Sequence, residues 1–339
     1  MKKKLSIIIP YHSEKISTIK PLMQSIDNQS GIHFEDIEII MSKDTNIPNE
    51  IDDYPFTEYP NISDKITKII SEVKNNPGAS RQAGLDVCNG EYVCFCDADD
   101  CLLSQLDLRV MLEQVDSSEK ADVYRFKFIE EVGSFVDDSL QYLPHDVNWI
   151  WVFAKIYKVE FLKKHNIRFN PSLRWHEDTY FNLLCRYCNP KSIDLNNSTY
   201  LWKFSRSSIT RVNDHEYTFN SIPDYLYATA AAFEKATLEY KVDCTNDILG
   251  VITRYYYTLN DPTSKSKEMY NQVEQCYYNF VRRVASGLFK GIPIEHQVII
   301  AQISRTLDIR YIPERTLPDY LKYLAAKYEA TAPAPSPVA

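Results

Sequence analysis

Residues 89–100, NGEYVCFCDADD, run an apolar segment, Tyr92 to Cys96, directly into three carboxylates, Asp97, Asp99 and Asp100. The apolar stretch has the length and composition of a buried strand, and the Asp97-x-Asp99 spacing turns both carboxylates toward one small volume at its end. Carboxylates packed that closely repel, and they persist together near neutral pH only with positive charge among them. A divalent cation is one source of that charge. Mg2+ and Mn2+ take oxygen ligands and are commonly held by one or two protein carboxylates plus the phosphate oxygens of a substrate. A polar turn after a core strand is the other reading of a lone Asp-x-Asp, so the surrounding sequence has to decide.

Working outward, two more apolar segments precede this one, Leu5–Ile9 and Ile37–Met41, with helical patterning over Ile16–Asn28 and Ala79–Cys88 between them. Strands alternating with helices at this spacing predict βαβ units, an α/β fold with a mainly parallel sheet. Ligands of such sheets bind outside the carboxyl ends of the strands, where the acidic cluster, Asp44 and Pro10 all fall. Val123–Ile129 reads as a further strand, and Trp149–Lys164 as a strand or turn passing into a helix. His176–Asn189 reads as a helix with Glu177 and Asp178 in its first turn, where acidic groups suit the macrodipole.

From about Asp214 the pattern is helical and tyrosine-rich, over Tyr217–Tyr240, Asn246–Leu259, Ser266–Leu288 and His296–Thr306. This predicts a C-terminal helical subdomain over 214–330, whose tyrosines serve helix packing. The last residues, 331–339, TAPAPSPVA, have the composition of a disordered tail.

The chain has 339 residues and a formal charge of −8, which argues against a surface built to neutralise a nucleic-acid backbone. It has no apolar run near the roughly 20 residues that span a bilayer. The start, MKKKLSIIIPYH, has a basic prelude, but the apolar run Leu5–Ile9 is shorter than the roughly 7–15 residues of a signal-peptide core, and Pro10 leads into polar residues. A cytoplasmic protein is expected, with peripheral contact to the membrane as a further option. Of the eight cysteines, Cys94 and Cys96 alternate along a strand and Cys185 and Cys188 lie one helical turn apart. Both pairs fit buried apolar positions, and Cys185-x-x-Cys188 has no second such pair to complete a zinc site.

Together these segments resemble the inverting glycosyltransferases of family 2, which have a GT-A fold, Rossmann-like with flanking helices, and use nucleotide-diphospho-sugars. SIIIPYHSE is similar to the family's opening strand and P-x-Y-N, with Ser13 where Asn is usual. Ser25-Ile26-Asp27-Asn28-Gln29-Ser30 resembles the end of its next helix. EIIMSKDTN resembles its second strand and D-D-G-S, although Lys43 replaces the first Asp, only Asp44 remains, and the Gly-Ser is lost. PGASRQAGLDVCNGEY places Arg81 in the family's arginine position before the D-x-D. IRFNPSLRWHEDTYF is similar to the segment ending in its E-D, and TYLWKFSRSSITR to the Y-x-Y-R-x-x-x-S-x-T beyond. The match runs in consistent order over roughly 4–212, with residues 213–339 outside it.

The resemblance implies a hexosyltransferase, with residues 1–100 as the nucleotide-sugar half of a GT-A domain and 101–213 as the acceptor and catalytic half. Asp99 would bind Mn2+ or Mg2+ with Asp97 beside it, Asp97 also lying near the ribose, while Asp100 reads as a cap or turn residue. Asp178 would be the general base of a single displacement, and Glu177 would orient it or bind the acceptor. Pro10, His12, Asp44, Arg81, Asp97, Arg206 and Ser208, with Lys203, would surround a UDP-sugar donor, Asp44 accepting the uracil N–H and His12 stacking on the base. Trp175 and His176 would form a platform for the donor sugar or for a glycan or polyol-phosphate acceptor, and the C-terminal helices would bind acceptor or mediate self-association. Two alternatives stay open: a sugar nucleotidyltransferase, which wants a glycine-rich basic loop that IPYHSEK lacks, and a nucleotide-sugar-binding module without activity, toward which the altered KDTN points.

Overall fold

The computed structural model describes residues 2–134, 139–205 and 214–329. The chain forms two compact units, 1–213 and 214–339. Strands of the first unit are β1 (Lys3–Tyr11), β2 (Ile37–Lys43), β3 (Ile66–Ile70), β4 (Gly90–Phe95), β5 (Cys101–Leu102), β6 (Val123–Gly133), β7 (Leu140–His145), β8 (Lys155–Lys158) and β9 (Ser192–Trp202). They form one mixed sheet in the order β3-β2-β1-β4-β8-β6-β9-β5, with β7 hairpinned onto β6. β3, β2, β1 and β4 are mutually parallel. The antiparallel β8 then separates β4 from β6, and β9 runs parallel to β6.

The continuous run Leu5–Ile9 is buried throughout, as a central parallel strand covered on both faces requires. Helices α1 (Ile16–Asp27), α2 (Pro77–Val87), α3 (Asp107–Asp116), α4 (Val159–Lys164) and α5 (Glu177–Tyr187) flank the sheet. α2 starts where Asn76 Oδ1 accepts from the Ala79 amide at 2.8 Å and Pro77 occupies the first turn. A Cβ on Gly84 would lie 2.6 Å from Ile8 Cγ2, so α2 rests directly on β1 through the missing side chain.

This topology brings the carboxyl ends of β1, β2, β3 and β4 to one edge, because Tyr11 is in register with Lys43, Lys43 with Ile70, and Ile8 with Phe95. His12, Asp44 and Ser71 follow those ends directly, and Asp97 lies two residues beyond the end of β4. The expected α/β fold with its mainly parallel sheet is present. β9, eleven residues long, was not expected: SIDLNNSTYLW has exposed polar residues along most of its length and no continuous apolar run.

The second unit is helical: α6 (Asp214–Asn220), α7 (Ile222–Leu238), α8 (Thr245–Asn260), α9 (Tyr270–Ala285), α10 (Ile294–Thr306) and α11 (Leu317–Glu329). The predicted helix over 217–240 is divided at Ser221, where Pro223 begins a new first turn. The tyrosines do pack between helices. Tyr277 donates to the Ile252 carbonyl at 2.9 Å and Tyr256 to the Arg315 carbonyl at 2.6 Å. Glu274, buried on α9, is satisfied by the hydroxyls of Tyr270, Tyr320 and Tyr328 and by Lys327 Nζ. Among the described residues no helix is long and apolar enough to cross a membrane. The tail at 331–339 lies outside the described residues.

Candidate active site

Arg81, one turn into α2, is almost wholly buried and joins the two motifs picked out from the sequence. Its Nη2 donates to Asp97 Oδ1 at 2.6 Å and its Nη1 to Glu177 Oε1 at 2.6 Å. The positive charge that the carboxylates after β4 require is thus supplied, for Asp97, by a guanidinium. Both terminal nitrogens of the guanidinium thus engage protein carboxylates. Local packing explains how α5 comes so close. A Cβ on Gly78 would lie 2.8 Å from Glu177 Cβ and Cγ, so only glycine leaves room. Asn76 adds a second tie, donating from Nδ2 to the carbonyls of Pro171 at 2.9 Å and Leu173 at 2.8 Å in the loop leading to α5.

His176 enters α5 in the left-handed region, with φ 58°, unusual for a residue carrying a Cβ. That turn sets Glu177 inward, and Asp178 follows it, partly exposed, with Oδ1 accepting from the Thr179 amide at 2.7 Å. Burial raises the Glu177 carboxyl to about 7, the neighbouring Asp178 charge adds to this, and Arg81 opposes it. Burial likewise raises the Asp178 carboxyl above the ordinary aspartate value, with Arg81 again pulling the other way. A carboxylate made more basic in this way suits proton abstraction near neutral pH. Trp175 is partly exposed, with the Arg174 guanidinium 5.7 Å from its ring.

The three aspartates after β4 divide their work. Asp100 is buried and accepts from the Tyr200 hydroxyl at 2.7 Å and the Lys203 amide at 2.8 Å, and the Asp97 amide in turn donates to the Tyr200 oxygen at 3.0 Å. Its pKa is raised by burial and by the charges of Asp97 and Asp99. Asp100 therefore binds the end of β9 to the acidic turn, in keeping with a turn residue. Asp99 is exposed. Among the described residues no group of three or more His, Cys, Asp or Glu side chains is arranged to hold a metal ion, and the eight cysteines are free thiols. One exposed carboxylate with a second adjacent to it still fits a hard cation that takes its remaining oxygens from a diphosphate and water.

Beyond the ends of β1 and β2, His12 Nδ1 lies 2.5 Å from Asp44 Oδ1. Lys43, standing in place of the family's first aspartate, is buried and pairs with Asp52, which also accepts from the Asn49 amide at 2.9 Å and the Tyr11 hydroxyl at 3.1 Å. Burial pushes the Asp52 carboxyl up, but these three partners outweigh it and hold it below its usual value. Pro10 is in register with Ser42 beside this group. Arg206 and Ser208 lie outside the described residues, and the Lys203 amide is taken by Asp100. Asn76, Gly78 and Tyr200 were not given roles from the sequence; Asn-Pro-Gly at 76–78 is a helix-start signal that marks the first two, and Tyr200 is the tyrosine of the segment TYLWKFSRSSITR.

Residues 6–174 match the sequence profile described as glycosyl transferase family 2. The chain is 27% identical over 188 residues to a poly(ribitol-phosphate) beta-glucosyltransferase of Bacillus spizizenii, a stretch covering 53% of this chain and 29% of that protein. It is 35% identical over 104 residues to a GalNAc(5)-diNAcBac-PP-undecaprenol beta-1,3-glucosyltransferase of Campylobacter jejuni, covering 30% of this chain and 31% of that protein. The chain thus spans less than a third of the length of either relative. Among solved structures, residues 1–349 of S. aureus TarS in complex with UDP-GlcNAc share the fold, with a TM-score of 0.64 and 17% identity over 96% of this chain and 92% of that one. Through residues 6–174 the chain belongs to glycosyl transferase family 2.

Proposed function

We propose that this chain is a metal-dependent, inverting glycosyltransferase that moves a hexose from a UDP-linked donor to a hydroxyl of a polyol-phosphate or glycan acceptor. The observation that carries this reading is the Arg81 bridge, which holds Asp97 of the acidic turn and Glu177 of the Glu-Asp pair on one guanidinium at the carboxyl edge of the sheet. S. aureus TarS has been crystallised with UDP and with UDP-GlcNAc, which supports a UDP-linked donor, and the B. spizizenii relative supports a polyol-phosphate acceptor.

In this mechanism Asp178 accepts the proton of the acceptor hydroxyl as its oxygen attacks the anomeric carbon from the face opposite the diphosphate. The bond from that carbon to the diphosphate oxygen breaks, and UDP departs with the electron pair. The raised basicity of Asp178 favours the proton transfer. Glu177, held by Arg81, fixes the start of α5 and so the direction of Asp178. Asp99, with Asp97, would hold Mn2+ or Mg2+, which when bound supplies neutralisation of the charge on the departing diphosphate.

The test is to incubate the purified chain with UDP-glucose, UDP-GlcNAc and UDP-galactose, poly(ribitol phosphate) or a glycan acceptor, and Mn2+ or Mg2+. Transfer that stops with EDTA and yields product of inverted anomeric configuration is expected. Tight, metal-dependent UDP binding with no transfer or hydrolysis of any donor would instead make the chain a binding module.

A further inference from the structure

The family pattern makes Asp44 the acceptor for the base of the donor, but the geometry points elsewhere. Asp44 follows β2 and is only 4% exposed. Its backbone is pinned on both sides, the amide donating to the Tyr11 carbonyl at 3.2 Å and the carbonyl accepting from the Asn75 amide at 2.8 Å. Its Oδ1 is occupied by His12 Nδ1 at 2.5 Å. His12, at the end of the adjacent β1, has a side chain 39% exposed, and its backbone is fixed by donation from its amide to Glu14 Oε2 at 2.5 Å. The imidazole thus stands between Asp44 and the open edge of the sheet.

An ionised carboxylate only accepts, so the proton of this contact belongs to His12 Nδ1. In the neutral ring Nε2 is then left as a lone-pair acceptor, because the hydrogen bond made by one ring nitrogen sets the role of the other. Among the described residues Nε2 has no partner. We infer that His12 Nε2 is the atom that reads the nucleobase, accepting the N3–H of uracil, while Asp44 acts behind it as a positioning residue that fixes the imidazole tautomer. This rests on the UDP-linked donor proposed above.

The probe is N3-methyl-UDP, which lacks the hydrogen in question, compared with UDP by calorimetric titration of the full chain. The wild type is expected to bind UDP at least tenfold more tightly, since a hydrogen-bonding site rejects an analogue that leaves its polar group unpaired. His12→Asn keeps a donor toward Asp44 but has nothing at the Nε2 position, so the two ligands should bind within threefold of each other. His12→Gln reaches that position with an amide oxygen and should restore a preference of threefold or more, which a simple gain of space would not. Imidazole 15N spectra of the wild type at pH 8 should show the Nδ1–H form, shifting toward Nε2–H in Asp44→Ala. Tenfold discrimination retained by His12→Asn would overturn the role of His12 and leave the donor reading standing. A wild type that binds neither ligand would remove the donor reading itself.

Discussion

Arg81 Nη1 donates to Glu177 Oε1 at 2.6 Å across 96 residues of sequence, from a guanidinium that is otherwise committed to Asp97. This contact makes one site out of two sequence motifs. The guanidinium is buried with Asp97, Glu177 and Asp178 as its main charged neighbours, and those carboxylates hold its pKa far above the ordinary arginine value despite desolvation. Removing the cation leaves the buried Glu177 and the partly exposed Asp97 without their partner, which is the expensive way to break such a network.

Arg81→Ala is therefore expected to cost about 3–5 kcal/mol of stability. Arg81→Lys, which keeps the charge but lacks the planar fork, should recover part of this and still lower kcat, because one ammonium cannot hold both carboxylates in the same geometry. Denaturant unfolding and steady-state kinetics on both variants check it; a lysine variant with unchanged stability and kcat would show that the fork is dispensable.

The edge of the sheet was legible because Leu5–Ile9, Ile37–Met41 and Tyr92–Cys96 are continuous apolar runs that suit a doubly covered parallel sheet. Asp97, Glu177 and Asp178 stood out by chemical type and by the family pattern. Their linkage was not legible: the Arg81 contacts span 16 and 96 residues, and no periodicity connects such positions. The substitution of Lys43 likewise made sense only once Asp52, nine residues on in an irregular loop, was seen to meet it. β9 escaped because Asp194, Asn196 and Asn197 are exposed, which leaves no apolar run to read.

Glu177 and Lys155 predict a stability minimum near neutral pH. Glu177, raised from 4.5 to about 7 first by burial, binds its proton more tightly in the folded state, so its contribution to stability is lost as pH rises from about 4.5 through 7. Lys155 is buried, donates to the Trp151 carbonyl at 2.6 Å, and is lowered from 10.5 to about 7, again first by burial. Its cost is present below 7 and relieved as pH rises toward 10.5. The shifts correspond to on the order of 3 kcal/mol for Glu177 and about 5 kcal/mol for Lys155. Melting temperature measured against pH should lose its downward limb in Glu177→Gln and its upward limb in Lys155→Met; limbs unchanged in both variants would contradict these assignments.

Gly78→Ala and Gly250→Ala form a matched pair. Both glycines are helical, and each replacement gains up to about 1 kcal/mol of helix propensity. At Gly78 the new Cβ meets Glu177, held by Arg81, and overpacking of this kind costs about 1–3 kcal/mol. At Gly250 nothing lies within 4 Å. Denaturant unfolding should show Gly78→Ala destabilised, with reduced kcat, and Gly250→Ala stabilised; the opposite order would mean that α5 does not press on α2 as described.

Asp99→Ala and chelation probe the cation. Calorimetric titration of UDP is expected to lose at least tenfold in affinity when EDTA is added to the wild type, since a cation held by Asp99 would supply the charge that neutralises the diphosphate. Asp99→Ala should bind UDP weakly with or without EDTA. An EDTA effect of the same size in wild type and variant would place the ion on other residues.

The most direct measurement is turnover and UDP affinity in Asp178→Asn, read side by side. If Asp178 is the base that the Arg81 bridge helps to aim, kcat falls by roughly 10²–10⁴-fold, the usual range for loss of a general base. Affinity for UDP with Mn2+ should meanwhile stay within threefold of wild type, because Asp178 meets the acceptor and not the nucleotide. Wild-type turnover in Asp178→Asn would contradict the account at its centre.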